Sequence, residues 1–208
     1  MNARRSSVRL PAKMLTGPIL FGILAVLPGC KSSPKVDASP LEQAGMYFND
    51  IAELRDFHLT QDEVAQLAQA RQAGLTDQDC VALIQVSRRH DQPFKEGEAI
   101  AGLLQAGFQE SSLMTLVRLD QLAFVGEAQA MKLAGLSDDI IVAMARRRNA
   151  GQATLSSAKA AALRNVQFTN AEILKEVNGG TTDSQADAII ARRERAAKRF
   201  VRQRGTRR

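Results

Sequence analysis

Apolar and polar positions divide the chain into four stretches. Met14 to Leu27 is an apolar run without a charge. Lys31 to Pro40 (KSSPKVDASP) is polar, holds two prolines and three serines, and lacks apolar periodicity. That composition predicts a flexible tether over residues 30–40. From Leu41 to Asn178 apolar residues recur at spacings of three and four, the signature of amphipathic helices. Asn178-Gly179-Gly180 then stops the pattern. A last, weakly amphipathic helix is expected from Asp183 or Ser184, with Arg204 to Arg208 frayed.

Within the helical stretch one short pattern returns. Ala73-Gly74-Leu75-Thr76-Asp77, Ala106-Gly107-Phe108-Gln109-Glu110 and Ala134-Gly135-Leu136-Ser137-Asp138 are copies, and Val166-Gln167-Phe168-Thr169-Asn170 is a degraded fourth. The glycines lie 33 and 28 residues apart, and Gln167 stands 32 beyond Gly135. Physically, each copy ends one helix and starts another. Glycine takes a left-handed position at no steric cost, and the following Leu or Phe folds back onto the finished helix. Thr76, Ser137 or Thr169 can cap the next helix, with acids in its first turn favoured by the dipole. Thr60 with Glu63, and Thr169 with Glu172, have capping-box spacing. Gln167 in place of glycine predicts a looser or differently angled last turn.

Three apolar columns keep register with the turn. Four residues before it stand Ala70, Leu103, Met131 and Leu163; six after it, Cys80, Leu113, Ile141 and Ile173; ten after it, Ile84, Val117, Ala145 and Val177. One hairpin cannot bury such faces alone, but stacked hairpins can. The expected fold is therefore all-α: tandem antiparallel helical hairpins stacked as a short repeat array over 41–178, with a basic C-terminal helix and tail over 179–208. The AG[LF][ST][DE] hairpin resembles repeats in uncharacterised exported bacterial proteins over roughly residues 60–178, a resemblance that implies no activity.

The first 29 residues change the picture. Arg4, Arg5, Arg9 and Lys13 precede the apolar run with no acid among them. A helix needs about 20 apolar residues to span a bilayer, so the run suits the core of an export signal instead. It closes on Leu27-Pro28-Gly29-Cys30. This resembles the lipobox of bacterial lipoproteins, with Pro28 departing from the small residue usual at its position. The resemblance implies cleavage before Cys30, lipid on its thiol and acylation of the new amino terminus; several acyl chains give durable anchoring. Lys31, in place of the Asp that marks inner-membrane retention in that family, implies the inner leaflet of the outer membrane, facing the periplasm.

Composition agrees with helices: aromatics are 4% and Trp is absent. With Cys30 acylated, Cys80 has no intramolecular disulfide partner. The net charge of +6 hides a split, since the signal carries +4 and residues 192–208 carry nine bases against Glu194. The stretch between them sums to −6.

Candidate chemistry is sparse. Cys80 shares a column with Leu113, Ile141 and Ile173, which predicts a buried apolar residue rather than a nucleophile. His58 and His90 fall at helix ends with no further zinc ligands at suitable spacing. Asp77 with Asp79, and Asp138 with Asp139, lack the glycine and bidentate Glu of a calcium loop. Arg88-Arg89 and Arg146-Arg147-Arg148 close their helices against the dipole, or form a ridge for an anionic ligand. No nucleophile motif and no phosphate loop is present, so neither an enzyme, a cofactor beyond the lipid on Cys30, nor a small-molecule substrate is expected. Arg192, Arg193, Arg195, Lys198, Arg199 and Arg202 have three readings: a solvated end, a contact to anionic lipid headgroups, or a contact to an acidic protein or envelope polymer. The expected partners are membrane lipid and an envelope protein. Ala70, Gly74, Cys80 and Leu83 also match helix-turn-helix core spacing. Nucleic acid would require a positive face, which four copies in an acidic region do not supply, so a nucleic-acid binder is the alternative only if the N-terminus is no export signal.

Overall fold

The computed structural model describes residues 36–205, with side chains through 199. These residues form one compact unit that is helical throughout, with no strand among them. The helices are α1 (Ser39–Gln43), α2 (Phe48–Asp56), α3 (Gln61–Gln72), α4 (Asp77–Arg89), α5 (Gly97–Gln105) and α6 (Glu110–Arg118). After a 3-10 turn at Leu122–Phe124 come α7 (Val125–Leu133), α8 (Asp138–Asn149), α9 (Ser157–Asn165), α10 (Asn170–Asn178) and α11 (Asp183–Gly205).

Each odd-numbered helix packs on the next odd one, from α1 to α11, and each even helix on the next even one, from α2 to α10. The product is a two-layer stack of hairpins. All twelve residues of the three expected columns are buried. Each fully buried Leu or Ile among them contributes about 1.5–3 kcal/mol. The layers are also sealed by apolar side chains from the connections, Leu59, Phe94, Leu122 and Leu155.

The array holds one more hairpin than the four repeats imply. α1 and α2 join at Ala44-Gly45-Met46, with Gly45 at φ +81° and Met46 buried. Leu41 and Ile51 hold the columns four before and six after that glycine, and both are buried. Arg55 stands where later hairpins have an apolar residue ten after the turn. Seven after the turn, Val81, Met114 and Val142 are buried, whereas Ala52 in the first hairpin is exposed. The first hairpin thus lacks the apolar residues that later hairpins bury at these two positions, while Tyr47 and Phe48 at the start of α2 stand exposed.

Three expectations need correction. The tether ends before Pro40: helix α1 starts at Ser39, where the Asp37 carboxylate accepts the Ser39 N–H at 2.9 Å and the Asp37 N–H reaches Gln61 Oε1 at 3.0 Å. The last turn is not looser. Gln167 adopts φ +66°, and the Phe168 N–H meets the Leu163 carbonyl at 3.1 Å, the same closure that Phe108 makes on Leu103 at 3.2 Å. A side-chain residue here adopts the conformation that glycine takes in the other copies. Finally, Arg204 is helical, because α11 runs on to Gly205.

Candidate functional site

The acid that closes each turn motif does more than favour a helix dipole. It is the first residue of an even helix, and its side chain reaches back to the preceding hairpin. Asp77 Oδ2 accepts the Tyr47 N–H at 2.9 Å, Glu110 Oε1 the Thr76 N–H at 3.3 Å, and Asp138 Oδ2 the Gln109 N–H at 2.8 Å. Each of those donors sits at the N-cap of the previous even helix, where a backbone N–H lacks an intrahelical partner. The odd layer repeats the device: Gln61 receives Asp37, and Asp183 Oδ1 receives the Ser156 N–H at 2.8 Å. This ladder fixes the register of neighbouring hairpins.

Two rungs are braced by a base three residues before the turn. Arg71 pairs with Asp77, and Lys132 with Asp138. In the last hairpin Arg164 keeps the basic position but the acid is replaced by Asn170, whose Oδ1 is buried without a hydrogen-bond partner. The ladder stops there. Thr169 is instead served from within its own helix, by a capping box with Glu172. At the other end Phe48 takes the acid's position and is 69% exposed; among the described residues no hairpin precedes it.

Glu63 is the densest polar centre. Its carboxylate receives Arg88 through two bonds, at 2.7 and 2.9 Å, and the N–H groups of Phe94 at 3.0 Å and Thr60 at 2.9 Å. Arg88 also donates to the carbonyls of Phe57 and Gln92. Burial alone raises the Glu63 pKa, but the guanidinium and the two amides outweigh it and bring it down to about 2. This cluster ties α3, the end of α4 and both adjoining connections together. Its role is structural: every lone-pair direction is occupied by the protein. A carboxylate inside the capping box was legible in the sequence, but its partner 25 residues away was not.

The remaining candidates fall as follows. Cys80 is buried and free, and burial pushes its thiol up to about 12, which removes it as a nucleophile at neutral pH. Thr76 and Thr169 cap their helices, whereas Ser137 has N-cap backbone geometry without the side-chain bond. His90 caps the end of α4 and lies 3.5 Å from Asp120, and His58 follows α2 in a left-handed turn. The arginine ridge does not form. Arg88 is held by Glu63, Arg147 donates to the carbonyls of Ala153 and Asn178, and Arg148 pairs with Glu127 over the Phe124 ring. Arg146 remains exposed. Asp79 and Glu110 lie on neighbouring hairpins, and the nearby acid raises the Glu110 pKa. Among the described residues no group of His, Cys, Asp and Glu gathers as a metal site.

Open grooves run along the outside of the described residues. One, of about 610 Å³, runs over α3, α5 and α7 and is lined by Gln69, Gln72, Gln105 and Gln129 together with Lys95, Glu98 and small residues. Another, of about 410 Å³, runs over α6, α8 and α10 and is lined by Ser111, Thr115, Asp139, Arg146, Leu174 and Asn178. Helix α4 lies between α2 and α6, so the second helix of the first helix-turn-helix match is flanked on both sides.

Arg192, Arg193, Arg195, Lys198 and Arg199 lie exposed on α11, and the Arg202 backbone continues that helix. Arg193 stacks on the Phe168 ring at 5.1 Å, apart from the other bases. Leu27, Pro28, Gly29 and Cys30 lie outside the described residues. Among the described residues no helix is long and apolar enough to cross a membrane. No protein-family model, curated protein or solved structure matches the chain.

Proposed function

We propose that the chain is a non-catalytic lipoprotein, held to a membrane through lipid on Cys30, whose stacked hairpins serve as a protein-interaction or structural module of the cell envelope. One observation carries the reading: the polar side chains with the most developed surroundings hold the array itself together. Glu63, Asp77 and Asp138 are engaged with other parts of the array, and what is left for partners is an extended, grooved outer surface. Such surfaces are what stacked-hairpin arrays offer to other macromolecules. The anchor rests on the Leu27-Pro28-Gly29-Cys30 pattern, and Lys31 favours the inner leaflet of the outer membrane.

Palmitate labelling tests the anchor: label should enter the natural chain and vanish in Cys30→Ala. Cross-linking of intact envelopes followed by capture of the chain tests the interaction role. Reproducible recovery of the chain with no envelope protein attached overturns it. A nucleic-acid role would instead show as an intact, unlabelled chain that retains its first methionine and cosediments with the chromosome.

A further inference from the structure

Charge is distributed along the stack in one direction. Residues 36–98, covering α1 to the first two residues of α5, carry twelve acids against five bases, a net −7. Residues 99–182 are near balance at +1, and residues 183–205 reach +4. The two ends of the array are therefore opposite in sign.

The excess charge is arranged in matching stripes. On α2, Asp50, Glu53 and Asp56 follow at intervals of three; Glu53 and Asp56 are exposed and Asp50 is half-buried. On α11, Arg192, Arg195 and Lys198 follow at the same interval and are all exposed. Both stripes advance about 4.5 Å per step along their helices, so their charges meet when the helices lie side by side. Arg55, the one base on α2, falls off the acidic stripe by helical spacing. Neither stripe has an ion pair among the described residues.

The bases stand on a helix that outruns its support. α11 has 23 residues, whereas the neighbouring α9 has 9. Ala186 is buried, Ile189 and Ile190 are half-buried, and Arg193 is the last residue seen against the array, on Phe168; residues 192–199 are all exposed. This overhang cannot serve its own first hairpin. Five packing steps of about 9 Å separate α11 from α1, while residues 192–205 reach only about 20 Å as a helix.

We propose that the overhanging basic stripe of α11 docks on the acidic stripe of α2 in a second copy of this chain, so that the protein self-associates end to first hairpin. The proposal deepens the interaction-module reading by naming a partner, and it stands or falls apart from the lipid on Cys30. Contacts of this kind are exposed and salt-screened, so the association is weak and ionic-strength dependent.

Sedimentation velocity of the full-length chain in nonionic detergent, with two charge-reversed variants, tests it. One variant is Asp50→Lys/Glu53→Lys/Asp56→Lys; the other is Arg192→Glu/Arg195→Glu/Lys198→Glu. The natural chain should self-associate at low salt and dissociate as salt rises. Each variant alone should associate at least tenfold more weakly, and an equimolar mixture should recover assembly, because the reversed first hairpin then meets the reversed tail. Helical circular dichroism checks that the variants fold; if a triple variant does not, Glu53→Lys and Arg195→Glu take its place. A natural chain that remains monomeric at low salt, or a mixture no more associated than its components, overturns the proposal. So does a monomeric chain that binds phosphatidylglycerol vesicles through the tail, which would give the stripe to a lipid surface. Self-association of a purified chain says nothing about capture of other envelope proteins, so the two readings fail separately.

Discussion

Asp77 Oδ2 accepts the Tyr47 N–H at 2.9 Å across thirty residues of sequence, while its other oxygen takes the Arg71 guanidinium. One side chain thus closes its own hairpin and fixes the one before it. Replacing Asp77 with Ala removes the bonds to Tyr47 and Arg71 and leaves Arg71 only the carbonyls of Leu75 and Gly45. The expected loss is about 2 kcal/mol, read as a lowered urea midpoint. Asp79→Ala, one turn position away, should cost less because its partners are exposed.

Asn170 is the rung that is absent. Its Oδ1 is buried without a partner while Arg164 retains the basic position. Asn170→Asp should restore the arrangement seen at Asp77 and Asp138 and stabilise the chain by about 0.5–1 kcal/mol. A melting temperature that falls instead would show that the last interface has a different register.

Gln167 holds φ +66°. A side-chain residue in the left-handed region costs roughly 1–2 kcal/mol, part of which glycine returns as chain entropy. Gln167→Gly should therefore stabilise by about 0.5–1 kcal/mol, whereas Gly135→Ala, at φ +83°, should destabilise. Equilibrium unfolding of the two variants gives opposite signs if all these turns share one geometry.

Glu63 makes stability depend on pH. Its folded pKa of about 2 lies below the ordinary 4.5, so the deprotonated form is favoured by folding. The contribution is complete above pH 4.5 and is lost as pH falls toward 2; at about 1.4 kcal/mol per unit it amounts to about 3 kcal/mol. The stability difference between the natural chain and Glu63→Gln should shrink steadily over that window. A difference that stays constant from pH 6 to pH 2 contradicts the assignment.

Gly97 begins α5 against the backbone of α3. A Cβ there would stand 2.1 Å from the Gln66 carbonyl oxygen, so one helix must shift. Gly97→Ala should cost on the order of 1–3 kcal/mol, measured by thermal unfolding. No φ argument applies here. The approach of two helices alone requires the missing side chain.

Much of this was legible in residue spacing, and the reason is local. A helix end, a left-handed glycine and a cap occupy a few adjacent residues, so Gly74, Gly107, Gly135 and the Thr60–Glu63 box announce themselves. The first hairpin escaped notice because Tyr47 and Phe48 replace the polar pair of the motif and Arg55 replaces its apolar column. Those substitutions erase the motif while leaving the hairpin intact. The ladder was hidden for another reason. An acid at the first helical turn satisfies the dipole rule by itself, and nothing in the local sequence says that Asp138 also serves Gln109, 29 residues earlier. Arg88 shows the same limit, because a base at a helix end looks solvated until Glu63 is placed beneath it.

Amide hydrogen exchange in Asp77→Ala examines the ladder most directly. The Tyr47 amide should exchange at least tenfold faster, as expected for loss of about 1.4 kcal/mol or more of protection, while the Thr169 amide, served by Glu172 of its own helix, should keep its rate after correction for global stability. Unchanged exchange at Tyr47, or equal acceleration at both sites, would mean that these side chains do not hold one hairpin to the next.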